Sequence, residues 1–78
     1  MHTQEIDPRV SSIEHAARLA RMAYDTAQET YSADMEFEAV MKATECGELC
    51  YPKYEVPACI KEIPQLLQHW NWGWMGVA

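Results

Sequence analysis

Four side chains in the second half of the chain are of the types that bind zinc. Cys46 and Cys50 are four residues apart, so they share one face of a helix, and Cys59 and His69 follow later. Three thiolates and one imidazole would form a tetrahedral set that suits Zn²⁺ and would stabilise a small domain. In structural zinc sites the second ligand pair is usually also closely spaced, whereas Cys59 and His69 are ten residues apart. Free cysteine also behaves as a small buried hydrophobe. We therefore expect core cysteines and no cofactor, and we keep a zinc-stabilised domain as the alternative.

Glu45 and Glu48 form a second pair with a chemically useful spacing, three residues apart before Leu49. This fragment resembles the metal-binding helix of MazG-type all-α nucleotide pyrophosphohydrolases, in which two such glutamates hold Mg²⁺. The resemblance implies a Mg²⁺-dependent nucleotide hydrolase. In that family a Glu-x-x-Asp pair on a following helix completes the site, whereas the only acids after Glu48 are Glu55 and Glu62, which lack that spacing. We keep this reading as the less favoured alternative.

Nucleophilic catalysis has little support in the sequence. A cysteine and a histidine can form a thiolate–imidazolium pair, but no local feature links His15 or His69 to a cysteine. The three glycines are not grouped into a phosphate-binding loop. We therefore expect a protein that is not an enzyme.

The acidic residues are concentrated in the middle of the chain. The segment from Asp25 to Glu48 contains seven acids and the single base Lys42, which accounts for the whole net charge of −6. On a helix, three of these acids project to one side, with a fourth at its border: Asp34, Glu38 and Glu45, then Glu48. Such a surface disfavours direct binding to nucleic acid or to an anionic membrane and favours a protein partner with a basic surface.

Aromatic residues near the C-terminus are the remaining candidates for partner binding. All three tryptophans lie at alternate positions in the last nine residues, and two tyrosines precede them: Trp70, Trp72, Trp74, Tyr51 and Tyr54. Tryptophan is enriched at interface hot spots. The rings are expected either to cover the alanine-rich face of the first helix or to contact a partner, including a second copy in a homodimer.

The periodicity of apolar residues predicts an all-α fold. Apolar positions from Ile13 to Tyr31 recur at steps of three and four and are mostly alanine, which predicts a first helix packed closely against its neighbour. Ser32 is expected to cap a second helix. The inward stripe of this helix would contain Phe37, Val40, Met41 and Thr44. A second, weakly apolar face carries Met35, Ala39, Ala43, Cys46 and Cys50, so both sides of the helix could make contacts. These two longer helices would be antiparallel.

The prolines and glycines predict the remaining organisation. Pro52 and Pro57 define a loop, which a third helix follows. Pro64 breaks this helix, either as a kink or as the start of a new helical piece. Gly73 and Gly76 predict an irregular Trp-rich tail over residues 70–78, and residues 1–10 read as an N-terminal arm. The 78 residues would form one small domain, a helical bundle of two longer helices and a short, proline-broken third helix.

Composition places the chain in a broad functional class. No apolar run is long enough to span a membrane, the first residues do not resemble a signal peptide, and an odd number of cysteines suits a reducing compartment, so we expect a cytoplasmic protein. In general character it is similar to virus-encoded inhibitors of host defence complexes, such as anti-CRISPR proteins, although no motif carries this likeness. We expect a small acidic binding protein that blocks or regulates a larger, nucleic-acid-binding partner.

Overall fold

The computed structural model describes residues 8–51 and 54–76, and this part of the chain contains four helices and no strand. They are α1 (Pro8–Thr30), α2 (Ala33–Cys50), α3 (Ala58–Lys61) and α4 (Pro64–Gly76). The two long helices are antiparallel: the thiol of Cys46 in α2 reaches the carbonyl of Ile13 near the start of α1, and a short turn joins the opposite ends. The predicted all-α fold is confirmed.

Helix α1 packs through its alanine stripe. Ile13 and the alanines at positions 16, 17, 20, 23 and 27 are all buried, and these small side chains allow α2 to approach closely. The helix already begins at Pro8, so the arm proposed for residues 1–10 is too long. Proline suits the first position of a helix because its missing N–H has no partner there in any case. Residues 1–7, the rest of that arm, lie outside the described residues.

The turn between α1 and α2 has the predicted cap. Tyr31 adopts a left-handed conformation, with φ of 53°, that ends α1. The Ser32 hydroxyl then accepts a hydrogen bond from the Met35 amide at 3.2 Å and starts α2. Asp34 and Glu36 lie in the first turn of α2, where negative charge is favourable beside the helix dipole. The short turn fixes the antiparallel arrangement of the two helices.

The inward stripe predicted for α2 was wrong at Phe37 and Met41, because the second apolar face of the prediction is the buried one. The buried residues of α2 are the smallest on the helix, Ala39, Ala43, Cys46, Gly47 and Cys50. By contrast, 63% of Phe37 and 52% of Met41 are exposed, although both were expected to face inward. The reason is steric, because α2 is in contact with α1 on one side and with α4 on another, and only small side chains fit between three closely packed backbones.

Helix α4 replaces the irregular tail that the glycines had suggested for residues 70–78. It continues through Gly73 to Gly76 because Gly73 lies directly against the Thr44 carbonyl of α2, where any Cβ atom would collide with the backbone. Gly47 makes the reciprocal contact with the Trp70 carbonyl of α4. Close packing at this crossing compensates for the weak helix propensity of glycine. Val77 and Ala78 lie outside the described residues.

The segment between α2 and α4 returns the chain along the bundle. Gln65, at the start of α4, donates to the Glu36 side chain near the start of α2, and the Trp74 ring lies near that of Tyr51 at the far ends, so the two helices are parallel. Helix α3 contacts α1 and α4. As expected, Pro64 starts a new helix after the short third one.

Candidate functional site

The exposed side of α2 combines apolar and acidic side chains in one row. We call this row the α2 stripe; it consists of Asp34, Phe37, Glu38, Met41, Glu45 and Glu48, all of them exposed. Their spacing of three or four residues places them on one side of the helix. The buried small residues of α2 occupy the opposite side, so the packing of the bundle directs the stripe toward solvent.

The stripe is strongly negative. Lys42 forms a 3.4 Å ion pair with Glu45, while Asp34, Glu38 and Glu48 make no ion pair within residues 8–51 and 54–76. The four carboxylates that sequence analysis selected from α2 are therefore exposed together. An exposed ion pair such as Lys42–Glu45 contributes little to stability, so these carboxylates add charge to the surface rather than strength to the fold.

Two shallow depressions extend the apolar part of the stripe. One, of about 340 Å³, is bordered by every residue of the stripe except Asp34, together with Lys42 and Thr44. The other, of about 290 Å³, lies between α1 and α2 and shares Glu38 and Lys42 with the first; its apolar lining includes Leu19, Met22 and Met35. Apolar contact area thus extends from α1 across to the far side of α2, with carboxylates along it.

Phe37 and Met41 are the candidate binding residues that sequence analysis missed. Both are apolar and follow the helical period, so the pattern assigned them to the core. The sequence did contain a sign that Phe37 and Met41 are exposed: the other apolar face of α2 consists of alanines and cysteines. Only side chains of this small size fit between α2 and two neighbouring helices. A large apolar residue on the side opposite such a face is expected to be exposed.

The five aromatic candidates are divided between the core and the surface. Trp70 is buried, with 8% of its surface exposed, and Tyr54 packs against the core, so neither is a free binding residue. Tyr51 is half-buried, and its ring centroid lies 6.0 Å from that of Trp74. Trp72 is the most exposed tryptophan, at 58%. Because α4 is helical throughout, Trp70 and Trp74 lie on one face of this helix and Trp72 lies on another.

The thiols of Cys46 and Cys50 are hydrogen-bonded inside the core. Cys46 donates to the Ile13 carbonyl at 3.6 Å, and Cys50 donates to the Glu55 carbonyl at 3.8 Å. Burial raises the pKa of both thiols, because a thiolate would lose its hydration. The indole N–H of Trp70 lies beside them and acts in the opposite direction, lowering both pKa values by a smaller amount. The two thiols are therefore held in their neutral form.

Cys46 and Cys50 lie close to each other, but the four proposed zinc ligands do not come together at one site. Within residues 8–51 and 54–76, no three histidine, cysteine or acidic side chains are placed to hold a metal ion. His69 instead packs edge-on against Trp72, with ring centroids 5.0 Å apart. Glu45 and Glu48 are exposed on α2, and Glu62, an acid of the following segment, pairs with Arg21 of α1 at 3.2 Å.

No family model, curated protein or solved structure matches this chain. In the described part of the chain, no helix combines the length and the apolar character needed to cross a membrane. The functional assignment consequently depends on the chemistry of the exposed surfaces.

Proposed function

We propose that this chain is a small acidic, non-enzymatic binding protein that acts in the cytoplasm by covering a basic surface of a larger protein. The observation that carries the proposal is the α2 stripe, on which Phe37 and Met41 are exposed among four carboxylates. Large apolar side chains gain free energy when a partner covers them, and exposed groups of such side chains are typical of interaction sites.

The partner is expected to offer an apolar contact surrounded by lysine and arginine. The apolar side chains would supply the affinity, while the carboxylates would attract and orient the basic surface. Carboxylates one and two turns apart on α2 lie about 5 to 11 Å from one another along the helix axis. At this spacing they could pair with basic side chains of the partner that otherwise contact successive phosphates of a nucleic acid. The stripe would thus compete with nucleic acid for the same groove.

This mechanism corresponds to that of a blocking inhibitor of a nucleic-acid-binding complex. A virus-encoded inhibitor of the anti-CRISPR kind is the example whose general character comes closest. Binding would be steric and electrostatic, without direct contact between this chain and nucleic acid. Support comes from the net charge of −6, which lies entirely in the segment that contains α2.

The decisive test begins with the protein that co-purifies with the tagged chain in its native cell, followed by reconstitution from purified components. The double variant Glu38→Lys/Glu45→Lys should weaken binding at least about tenfold, because two attractive charges become repulsive. A Phe37→Ser/Met41→Ser variant should weaken binding to a similar degree. Addition of the intact chain should also release nucleic acid from the partner.

A matched control separates local charge from net charge. Glu29→Lys/Glu55→Lys changes the net charge by the same amount at exposed positions on α1 and before α3. It should retain most of the affinity. Equal loss in both charge variants would reduce the effect to nonspecific electrostatics, and unchanged binding of the stripe variants would contradict the proposal.

A further inference from the structure

Trp70 carries a buried hydrogen-bond donor that the fold leaves unused. Only 8% of this side chain is exposed, and its indole N–H is buried without a hydrogen-bond partner in residues 8–51 and 54–76. A buried N–H without an acceptor costs free energy, so such a group calls for a physical explanation. The nearest candidate acceptors are the sulfur atoms of Cys46 and Cys50, beside which the N–H lies.

Two thiols meet at this point of the core. Cys46 and Cys50 are one turn apart on the buried side of α2, both are fully buried, and their side chains are within hydrogen-bond reach of each other. The backbone of Trp70 lies directly against Gly47, between the two cysteines in sequence, so close packing fixes the indole beside the pair. A neutral thiol is a weak acceptor, whereas a thiolate is a strong one. The unused N–H therefore suits a state in which the sulfur atoms carry negative charge.

A disulfide bond does not suit this pair. Cβ atoms four residues apart on a helix are about 5–6 Å from each other, whereas a disulfide requires about 3.5–4.5 Å. Closing the bond would distort α2, and the oxidised sulfur atoms would remain weak acceptors for the indole N–H. A metal ion between the two sulfur atoms spans the longer distance and converts both thiols into thiolates.

The available ligands indicate which ion the pair would bind. Zn²⁺ in structural sites takes four ligands, and in the described ranges no group of three histidine, cysteine or acidic side chains is placed to hold a metal ion. The pair lies in the apolar core with Ile60 and Leu66, both fully buried, so water does not complete a zinc site either. Cu(I) is a soft ion that thiolates select, and two sulfur ligands in a line satisfy it.

We propose that Cys46 and Cys50 bind one Cu(I) ion between their sulfur atoms, and that the Trp70 indole N–H donates to one of the resulting thiolates. The ion displaces the proton of each thiol, so both protons are released and no electron is transferred. The hydrogen bonds from the thiols to the carbonyls of Ile13 and Glu55 are lost in the same step. Because both sulfur atoms are fully buried, the ion enters when the packing around them opens locally.

The test is anaerobic titration of the reduced, intact chain with Cu(I) against bicinchoninate, a chelator that competes for this ion. The chain should retain a single equivalent of copper, and its melting temperature should rise, because the ion binds the folded state. X-ray absorption should show two sulfur ligands. The loaded protein should remain a monomer of about 9.0 kDa in sedimentation. No copper retained against the chelator, three or more sulfur ligands, or a copper-linked dimer would each overturn the proposal.

Substitutions test the named residues. Cys46→Ala and Cys50→Ala should each abolish copper retention, and circular dichroism should show that both remain helical, because alanine suits the small side of α2. Trp70→Phe keeps an aromatic ring but removes the N–H, so it should weaken Cu(I) binding about tenfold.

Cys59→Ala is the matched control, because it removes the more exposed thiol. It should leave the dissociation constant for Cu(I) within about twofold. Equal loss in this control would show adventitious binding by any thiol, and unchanged affinity in Trp70→Phe would contradict the role of the indole. The site lies on the side of α2 opposite the α2 stripe and needs no partner, so its test is independent of the proposed function.

Discussion

The two sides of α2 reverse the usual relation between side-chain size and burial. The buried side consists of glycine, alanine and cysteine, whereas the solvent side carries Phe37 and Met41 among carboxylates. Both sides contain apolar residues at helical spacing. The difference teaches that the approach of neighbouring backbones, rather than hydrophobicity alone, determines which side of this helix is buried. It also separates stability, which depends on the small side, from binding, which we assign to the large one.

The largest expected effect comes from adding a methyl group where α2 and α4 cross. Gly47→Ala and Gly73→Ala each place a Cβ atom against a backbone carbonyl, and a backbone cannot move aside as a flexible side chain can. Each substitution should lower the free energy of unfolding by about 3 kcal/mol or more, despite the better helix propensity of alanine. Urea denaturation measures this loss.

Asn71→Ala is the control for the two glycine substitutions, because it alters an exposed position of α4, the helix that contains Gly73. It should change the free energy of unfolding by less than about 0.5 kcal/mol. If Gly47→Ala and Gly73→Ala behaved like this control, the close crossing of α2 and α4 would be refuted.

A somewhat smaller loss is expected when the buried side of α2 is overfilled. Ala43 is fully buried, and Ala43→Leu adds three carbon atoms to a closely packed region. The free energy of unfolding should fall by about 2 kcal/mol, because the helices must separate to make room. Met41→Leu, a similar apolar side chain on the exposed side, should be close to neutral. Thermal denaturation of the two variants side by side would show the contrast, and equal melting temperatures would contradict it.

The buried thiols should make stability depend on pH under alkaline conditions. Burial raises the pKa of Cys46 and Cys50, so the native state retains protons that the unfolded state releases above about pH 8.5. The unfolded state then binds fewer protons, and stability falls as pH rises toward the native-state pKa values. Below pH 8 this contribution is fully present. Each thiol contributes a slope of up to about 1.4 kcal/mol per pH unit.

The pH dependence can be isolated by replacing the thiols. A Cys46→Ser/Cys50→Ser variant should show a flatter decline in the free energy of unfolding between pH 8 and 9.5, whatever its stability at neutral pH. This window lies below the ordinary pKa of tyrosine, which is about 10. An identical slope in the two proteins would show that the thiols are not the titrating groups.

The smallest effect on stability is expected on the exposed side of α2. Phe37→Ser and Met41→Ser remove large side chains that are more than half exposed, so each should change the free energy of unfolding by less than about 0.5 kcal/mol. The same variants are expected to weaken partner binding strongly. A loss of stability comparable to that of Ala43→Leu would mean that these side chains belong to the core.

Local signals in the sequence were sufficient to predict much of the fold. Ser32 predicted the start of α2, Pro64 predicted a new helix, and the alanine stripe predicted the buried side of α1. Each of these depends on residues close together in the chain. Of the two apolar faces of α2, the larger side chains were wrongly expected to be the inward ones, and the helical continuation through Gly73 was not predicted. Both outcomes result from contact between glycines and backbones distant in sequence. Nothing in the local pattern around Gly73 distinguishes such a contact from a helix end.

The candidate site shows the same division. The four carboxylates of α2 could be selected from the sequence, since their spacing alone places them on one side of a helix. The inclusion of Phe37 and Met41 required knowledge of which side the neighbouring helices occupy. Trp70 and Tyr54 were selected for their residue type, but Trp70 is buried in the core and Tyr54 packs against it. Residue type alone does not distinguish an aromatic side chain that stabilises the fold from one that is available for binding.

Trp70 of α4 lies beside Cys46 and Cys50, so the rate at which these two thiols are alkylated depends on local opening of the bundle. Both thiols are completely inaccessible in the closed bundle, and one of the groups that encloses them belongs to the last helix of the chain. An alkylating reagent can therefore reach these sulfurs only after the local structure opens, while the more exposed Cys59 reacts earlier. The slow phase of thiol labelling would report the free energy needed to open the packing around these thiols, to which α1, α4 and the segment before α3 all contribute.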